Sequence, residues 1–316
     1  MIFGRLRRAG VLGINRRNGS FTLKWNKRRF YPLVDDKLQT KRLCEEAGIP
    51  VPALLAVAQH HFQVGRLLDQ VADREDFVLK PVHGAMGNGI VVIVGRDGDA
   101  LRRVSGKSMS AAEFRYHAAG IISGLYALGG QPDQAMIEER LIVHPLFRDI
   151  STNGVPDVRV VVFRGVPVMA MTRLPTAASG GRANLHQGAI GAGIDLVTGR
   201  TTFAVQHSRP CSRNPDSGTG VLDVEIPDFE TILAIAVRAT DPTRLGYVGA
   251  DLVLDEHRGP VVLELNARPG LAIQIANRAG LRPRLDAVQR TWKEGRPVAE
   301  RIALGREIAR DNPPLP

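Results

Sequence analysis

Cysteine, aromatic residues and long apolar runs are all scarce in this chain of 316 residues. Its two cysteines, Cys44 and Cys211, lie far apart and lack the spacing of metal ligands, which argues against a disulfide scaffold or a cysteine-based zinc site. No segment approaches the roughly 20 uncharged apolar residues that a membrane-spanning helix needs. Arginines interrupt the short apolar run at the N-terminus, so it does not predict a signal peptide, and we expect a cytoplasmic protein.

Acidic residues are missing from the first part of the chain. The net charge is +10, and residues 1–30 contain no Asp or Glu but nine basic residues: Arg5, Arg7, Arg8, Arg16, Arg17, Lys24, Lys27, Arg28 and Arg29. Such a cluster favours an anionic partner, which could be nucleic acid, an acidic peptide or nucleotide phosphates. Four Tyr and two Trp offer little surface for stacking bases, which disfavours nucleic acid. The same composition also suits a solvated, partly disordered arm.

The rest of the chain is patterned as antiparallel hairpins interleaved with a few helices, which predicts an α+β architecture. Asp35 or Asp36 can cap a helix, and Ser110 with Glu113 matches a capping box. Strands are expected at 77–80, 90–94 and 135–143, hairpin turns at Arg164-Gly165 and Thr198-Gly199, and helices through Leu128, over 228–240 and from about Leu271.

Two carboxylates mark the last predicted hairpin, residues 251–270. If its turn spans Glu256–Gly259, Asp251 lies opposite Glu264, and Asn266 shares their face. Opposed carboxylates repel each other on a bare sheet, and a Mg²⁺ ion, which takes oxygen ligands and substrate phosphates, would remove that conflict. Two alternatives stand beside this site. The hairpin could carry two solvated acids, or a three-residue turn could shift the register and move Asp251 to the other face.

A glycine-rich stretch, FVLKPVHGAMGNGI, follows the strand expected at 77–80. Lys80 ends that strand, and Gly84, Gly87 and Gly89 allow backbone N–H groups to approach phosphate oxygens. No Gly-Lys-Ser/Thr follows, so this is not a Walker A loop, and the stretch leads into a strand instead of opening a helix, so it is not a dinucleotide fingerprint. The loop would cap a hairpin and act as a lid, although a glycine-rich hairpin is also compatible with an ordinary turn.

A third group of polar residues is scattered along the chain. Lys37 stands in the first turn of its helix, where the helix dipole disfavours a cation. Asp157 and Arg159 share one face of a strand, and Arg159 and Arg173 are suited to stabilising charge on a transferring phosphoryl group. Surface ion pairs are the alternative for each of them. The complete group is Lys37, Asp157, Arg159, Arg173, Asn184 and His186.

Taken in order, these segments resemble the ATP-grasp superfamily, and within it the RimK type, the alpha-L-glutamate-ligase-like proteins. The resemblance extends from about Leu12 to Leu281. It rests on an ordered set of motifs: GINRRN, YPLVDDKLQTK, AGIPVP, FVLKPVHGAMGNGI, MIEERL, PDVRVVVFRGVPVMAMTRLP, GRANLHQGAIGAGID and VVLELNARPGL.

The resemblance implies roles for individual residues. It places Lys37 and Lys80 on the phosphates of ATP, and it makes Asp251, Glu264 and Asn266 the ligands of Mg²⁺, with Mn²⁺ as an alternative ion. It implies a phosphate lid and nucleotide contacts at His83, Gly84, Gly87, Asn88, Gly89 and Asp157, and an adenine- and ribose-binding hinge at Glu138, Glu139 and Leu141. It places Arg159, Arg173 and Asn184 near the γ-phosphate and acyl phosphate, with His186 in the same loop orienting substrate.

The resemblance also implies a domain plan. Two α/β subdomains would sandwich ATP within residues 35–281, with a lid subdomain at about 72–137 and a C-terminal helical tail over 282–316. RimK-type ligases have a substantial N-terminal domain, whereas a shortened, basic segment of residues 1–34 precedes the ATP-grasp part here. We hypothesise that this segment partly replaces the domain and recruits an acidic or carboxylate-bearing polymer. Arg268 stands where RimK ligases tend to carry a small residue, and we expect it to contact carboxylate or phosphate.

The implied reaction is ATP-dependent formation of an amide or peptide bond. A carboxylate attacks the γ-phosphate to give an acyl phosphate and ADP, and an amine such as glutamate then displaces phosphate. The acceptor would be a peptide or protein carboxylate. Two alternatives remain: an ATP-grasp enzyme for a small-molecule or sugar-linked carboxylate, and a non-catalytic RNA- or ribosome-binding protein with a relic nucleotide site. Homo-oligomers are compatible with each of these.

Overall fold

The computed structural model describes residues 2–84, 87–151 and 154–315. The chain divides into two units. The smaller unit comprises Asp36–Leu38 and Pro52–Ile142, and the larger unit comprises Met1–Asp35, Gln39–Val51 and Val143–Pro316. Each unit contains one antiparallel sheet accompanied by helices, which confirms the α+β class.

The helices and strands are numbered here in chain order. The helices are α1 (Ile2–Arg8), α2 (Ile14–Arg16), α3 (Leu23–Trp25), α4 (Pro32–Asp35), α5 (Lys37–Glu46), α6 (Ala111–Ile122), α7 (Pro145–Ile150), α8 (Phe229–Thr240), α9 (Ile273–Ala276), α10 (Leu281–Thr291) and α11 (Val298–Asp311). The strands are β1 (Leu54–Ala58), β2 (Phe77–Pro81), β3 (Val91–Asp97), β4 (Ala100–Arg103), β5 (Ser108–Met109), β6 (Ala135–Glu138), β7 (Asp157–Phe163), β8 (Val166–Leu174), β9 (Ile190–Ile194), β10 (Thr201–Gln206), β11 (Arg209–Pro210), β12 (Tyr247–Asp255) and β13 (Gly259–Asn266).

The sheet of the smaller unit has the strand order β1-β6-β2-β3-β4-β5. Buried residues alternate with partly exposed ones along β3, as expected for a sheet with one face on a core. Helix α6 packs on that face, where the rings of Phe114 and Phe77 meet edge to face with centroids 5.9 Å apart. The strands expected at 77–80 and 90–94 are confirmed as β2 and β3, whereas β6 ends at Glu138, before residue 143.

The predicted capping box at the start of α6 is confirmed. The Ser110 hydroxyl accepts a hydrogen bond from the Glu113 amide at 3.2 Å, and the Glu113 carboxylate accepts one from the Ser110 amide at 2.7 Å. The helix ends at Ile122 instead of continuing to residue 128. Gly124 stops it, because this residue has φ +80° and a Cβ there would lie 2.3 Å from the Gln131 carbonyl oxygen.

The sheet of the larger unit has the strand order β11-β10-β9-β8-β7-β12-β13. Its central strands are covered on both faces. Val160 and Val162 of β7 pack in a core with α8, while Val161 and Phe163 pack in a second core with α10. Strands buried on both faces are continuous apolar runs, which explains why DVRVVVF shows no clean alternation. Three helices, α9 to α11, follow β13 where one was expected from about Leu271.

The hairpin turns follow the glycine signals in two of three cases. Arg164 and Gly165 both adopt positive φ angles, 50° and 76°, as a two-residue hairpin turn requires. Gly199, with φ 70°, lies between β9 and β10 as expected. The third turn, expected to span Glu256–Gly259, is wrong: Asp255 pairs with Gly259, which leaves a three-residue turn.

The basic N-terminal segment packs on the sheet of the larger unit. Leu12 and Phe21 are each 1% exposed, and the Phe21 ring meets Phe163 edge to face at 5.6 Å. Arg164 lies over Trp25 and Trp292, with its guanidinium carbon 4.2 and 3.5 Å from the two ring centroids. A solvated, partly disordered arm is therefore wrong for this part of the chain.

In the described residues, no helix has the length and apolar character that crossing a membrane requires.

Phe21→Ala should lower the free energy of unfolding by about 3–5 kcal/mol, because it leaves a cavity beneath the segment. The matched control is Leu23→Ala, two residues away, where the side chain is 60% exposed. That substitution should change the free energy of unfolding by no more than about 0.5 kcal/mol. Urea denaturation of both variants measures the difference, and equal stabilities would contradict the packing of this segment.

Candidate functional site

Four charged side chains meet on one face of the large sheet, on the adjacent strands β8, β7 and β12. Asp157 and Arg173 are direct cross-strand partners, and so are Arg159 and Asp251. The Arg159 guanidinium donates to both Asp251 oxygens at 2.6 and 2.5 Å. Arg173 donates to both oxygens of Asp157 and, at 2.8 Å, to Asp251. We call these four residues the charge network. Their bidentate contacts fix both guanidinium groups in position.

The charge network is almost completely removed from solvent. Asp251 is 0% exposed and Asp157 is 3% exposed. Burial opposes the ionisation of Asp251, but the attraction of Arg159 and Arg173 outweighs it and holds the pKa of Asp251 below its usual range. Burial raises the pKa of Asp157 to about 6, against the attraction of Arg173 and with the added repulsion of Asp251. Two buried carboxylates therefore depend on two arginines for their compensation.

A β-bulge brings Glu264 opposite Asp251. If the regular pairing of the three-residue turn continued past Leu252 and Val262, Asp251 would lie opposite Leu263. The chain instead bulges at Leu263, so Asp251 pairs with Glu264. One error of the sequence-based prediction, the turn length, is thus cancelled by the extra residue of the bulge. The expected juxtaposition of Asp251 and Glu264 is confirmed.

Asn266 links the two carboxylates of this hairpin. Its side-chain amide donates to Asp251 at 3.2 Å and to Glu264 at 3.1 Å. Glu264 is the accessible member of the three, with 38% of its side chain exposed. The described residues contain no group of three or more His, Cys, Asp or Glu side chains able to hold a metal ion. Two carboxylates and one amide are nevertheless the kind of incomplete oxygen set that Mg²⁺ completes with phosphates and water.

Two residues that the sequence did not identify hold the chain just beyond Asn266. The amide of Asn26 donates to the carbonyl groups of Ala267 and Tyr247 at 2.8 and 2.7 Å. Buried Arg17 donates to the Pro269 carbonyl at 3.0 Å. Buried side chains of the basic segment thus position the chain that follows β13. No local pattern could have revealed this, because the partners lie between 221 and 252 residues away in sequence.

The other expected residues of the larger unit make local contacts. Arg268 is exposed, lies 4.0 Å from Asp35 and covers the ring of Tyr31. Asn184 accepts a hydrogen bond from the amide of His186 at 3.0 Å, which caps a short turn after β8. His186 itself is exposed. These contacts neither join the three residues to the charge network nor assign them a chemical role.

The smaller unit gathers the two expected lysines near the end of β2. Lys80 is buried and forms an ion pair with Glu138 on the neighbouring strand β6. Lys37 starts α5, and its ammonium group donates to the carbonyl groups of Val82 and Gly84 at 2.9 and 2.7 Å. The first-turn position that the helix dipole disfavours is therefore used to reach the glycine-rich loop.

The glycine-rich loop is held at both ends, by Lys37 on the Gly84 carbonyl and by His117, whose Nε2 atom lies 2.9 Å from the Gly89 carbonyl oxygen. Residues Ala85 and Met86 of the loop lie outside the described residues. Gly84 has no room for a side chain, because a Cβ would lie 2.1 Å from the Pro81 ring. Gly87 and Gly89 have φ angles of 73° and 76°, which favour glycine. Asn88 is exposed between them.

His83 begins this loop with a carboxylate partner. Its Nδ1 atom lies 2.8 Å from Asp133, whose carboxylate also accepts the His83 amide at 3.0 Å, and its Nε2 atom lies 3.7 Å from Asp36. Asp36 in turn accepts the Leu38 amide at 2.9 Å, which confirms it as a cap of α5.

The residues expected to form the hinge lie at the end of β6 and just after it. Glu138 ends the strand, the Glu139 amide donates to the Ala53 carbonyl at 3.0 Å, and Leu141 is buried.

The raised pKa of Asp157 predicts a pH dependence of stability. Because the pKa of Asp157 is higher in the folded state than in the unfolded chain, protonation of Asp157 stabilises the folded state. This contribution to the free energy of unfolding is complete below about pH 4 and is lost as the pH rises through about 6. The free energy of unfolding of Asp157→Asn, measured without metal or nucleotide, should therefore fall less than that of the wild type between pH 4 and 7, by about 2 kcal/mol. Identical pH slopes would contradict the assignment.

Comparisons with known proteins place this arrangement in context. A family model described as sugar-transfer associated ATP-grasp matches residues 16–290. A probable alpha-L-glutamate ligase from Maridesulfovibrio salexigens is 25% identical over 236 residues, which are 75% of this chain and 56% of the relative. The chain thus spans about half the length of that relative.

Solved structures give lower identities. The ATP-grasp ligase PsnB, complexed with a minimal precursor, shares 20% identity with a TM-score of 0.45, over 84% of this chain and 63% of that one. The D-cycloserine synthetase DcsG shares 16% identity with a TM-score of 0.45, over 82% and 71%. A RimK domain ATP-grasp protein from Sphaerobacter thermophilus shares 16% identity with a TM-score of 0.44, over 81% and 69%.

The family match covers the hairpin of Asp251 and Glu264, the charge network and the glycine-rich loop. It confirms the resemblance that the ordered motifs indicated. The chain belongs to the sugar-transfer associated ATP-grasp family.

Proposed function

We propose that this protein is an ATP-dependent ligase that activates a carboxylate as an acyl phosphate and joins it to an amine. The observation that carries the proposal is the charge network, which fixes two guanidinium groups beside the accessible carboxylate of Glu264. Phosphoryl transfer needs mainly positioning and neutralisation of charge, and no protein nucleophile. Fixed cations next to an incomplete oxygen site are suited to that task.

The donor set fits Mg²⁺. Asp157, Asp251 and Glu264 contribute three negative charges and Arg159 and Arg173 two positive ones, so the cluster has a net charge of about −1. We propose Asp251, Glu264 and, after rotation of its amide, Asn266 as the ligands, with Mn²⁺ able to replace Mg²⁺. The bound ion would neutralise charge on the β- and γ-phosphates. With so little net negative charge in this cluster, ion binding should depend strongly on the nucleotide.

The two arginines retain donors for a substrate. Their contacts with Asp157 and Asp251 use the Nε and Nη2 atoms of each guanidinium group. We propose that the Nη1 atoms of Arg159 and Arg173 contact the γ-phosphate and the acyl phosphate that forms from it. Preorganised donors of this kind stabilise charge that develops in the transition state, without reorganisation during the reaction.

Residues of the smaller unit serve the nucleotide in this proposal. Lys37 and Lys80 would contact phosphates, and the loop with His83, Gly84, Gly87, Asn88 and Gly89 would cover them and exclude water from the acyl phosphate. Glu138, Glu139 and Leu141 would contact adenine and ribose. Lys80 and Glu138 are already ion-paired, so the pair would present one preformed polar group to the nucleotide. Asn184, His186 and Arg268 are proposed to contact the carboxylate substrate.

Two classes of carboxylate substrate have support. The probable glutamate ligase among the relatives favours a peptide or protein carboxylate with glutamate as the amine. The description of the family as sugar-transfer associated favours a carboxylate linked to a saccharide. ADP release screened over amino acids, acidic peptides and uronic-acid saccharides distinguishes them. Product masses then identify the bond that forms. ATP turnover that never depends on an added carboxylate would refute the ligase proposal.

Glu264→Gln should reduce ligation at saturating ATP by at least about 100-fold, because a neutral amide is a much poorer ligand for Mg²⁺ than a carboxylate. Since the side chain is 38% exposed, the melting temperature should change little. The matched control is Glu256→Gln in the turn of the same hairpin, where the carboxylate pairs with Arg148 at 3.1 Å. Activity lost equally in both variants would exclude a specific role for Glu264.

A further inference from the structure

The N-terminal segment exposes both cations and aliphatic side chains. We call these side chains the N-terminal basic surface. Ile14 and Leu23 are each 60% exposed and Leu6 is 45% exposed. The exposed cations that accompany them are Arg7, Arg8, Arg16, Lys24, Lys27, Arg28 and Arg29.

The inner side of the same segment fixes this surface in place. Phe21 is buried against Phe163, and Asn26 exchanges hydrogen bonds with the backbone of Tyr247 in both directions. Arg16, Leu23 and Lys24 are exposed side chains of the same continuous helical stretch, Ile14–Trp25. Their backbone is therefore held by the core of the larger unit. The surface is presented by an ordered segment and does not need to fold on contact with a partner.

The neighbouring chain reinforces the positive charge. Residues 1–34 contain no acidic side chain. The segment packs beside the start of α10, where the Arg282 amide donates to the Gly10 carbonyl at 3.2 Å. Residues 278–296 there contain six basic residues, of which Arg284 is buried, and two acidic ones. One of the two acids, Asp286, lies 3.3 Å from Arg282. A negatively charged partner therefore meets little repulsion over this part of the molecule.

We propose that the N-terminal basic surface docks the protein on an anionic lipid bilayer. Aliphatic side chains among arginines and lysines match the interfacial region of a membrane, where apolar groups enter the headgroup layer and cations contact lipid phosphates. A surface for single-stranded nucleic acid would instead favour exposed aromatic side chains for stacking. The aromatic side chains within residues 14–34 are buried or half-buried: Phe21, Trp25, Phe30 and Tyr31. The bilayer is therefore the better match.

Sedimentation with lipid vesicles tests this proposal on the whole chain of 316 residues. One set of vesicles contains phosphatidylcholine alone, and the other contains about one third phosphatidylglycerol. The protein should sediment with the anionic vesicles and hardly with the neutral ones, and added salt should weaken the association because it screens exposed charges. Equal recovery with both vesicle types would overturn the proposal, as would binding of single-stranded RNA without any recovery on anionic vesicles.

Paired variants separate the two components of the surface. Arg16→Glu with Lys24→Glu should weaken vesicle binding by about tenfold or more, and Ile14→Ser with Leu23→Ser should weaken it several-fold. The matched controls are exposed residues of the smaller unit: Lys107→Glu with Arg115→Glu, and Val104→Ser with Leu125→Ser. The controls should bind like the wild type, and thermal unfolding confirms that each variant is folded. Equal losses in the controls would overturn the assignment to this surface.

Discussion

The ion pairs of Asp251 with Arg159 and Arg173 are the interaction on which the candidate site depends. A fully buried carboxylate is costly unless it is paired and hydrogen-bonded, and here three hydrogen bonds from two arginines provide that compensation. Cross-strand pairing of β8, β7 and β12 sets the spacing of these groups. The same contacts leave Glu264 and Asn266 at the accessible edge, where the ion and nucleotide that we propose would complete the charge balance.

Much of this site follows from short-range patterns. The period of a strand places Asp157 and Arg159 on one face, and the turn signals at Arg164-Gly165 locate the hairpin of β7 and β8. The position of Arg173 opposite Asp157 is not part of that local signal, because it depends on a bulge at Val168 that shifts the register. The capping box of α6 is equally local, since it needs only Ser110 and Glu113. Ordered motifs then indicated the family. What these patterns share is that the physical cause and its signal lie within a few residues of each other.

Features set by distant contacts could not be predicted in this way. The turn after Asp255 is one residue shorter than expected, and a bulge at Leu263 restores the register; turn and bulge compensate each other only in the folded sheet. The N-terminal segment has the composition of a solvated arm, yet Phe21 is buried and Arg17 and Asn26 hold the backbone beyond Asn266. Composition describes the exposed side of that segment and does not reveal its buried side.

The central claim is that Asp251, Glu264 and Asn266 hold an ion beside the phosphates of a nucleotide. Anomalous diffraction from crystals grown with Mn²⁺ and the non-hydrolysable nucleotide AMPPNP tests it most directly. The account predicts an anomalous peak within about 2.0–2.4 Å of carboxylate oxygens of both Asp251 and Glu264, with the Asn266 amide oxygen turned toward it and phosphate oxygens completing the coordination. The peak should be absent from crystals that contain Mn²⁺ but no nucleotide. An ion bound elsewhere, or a nucleotide whose phosphates lie away from Arg159 and Arg173, would contradict the account.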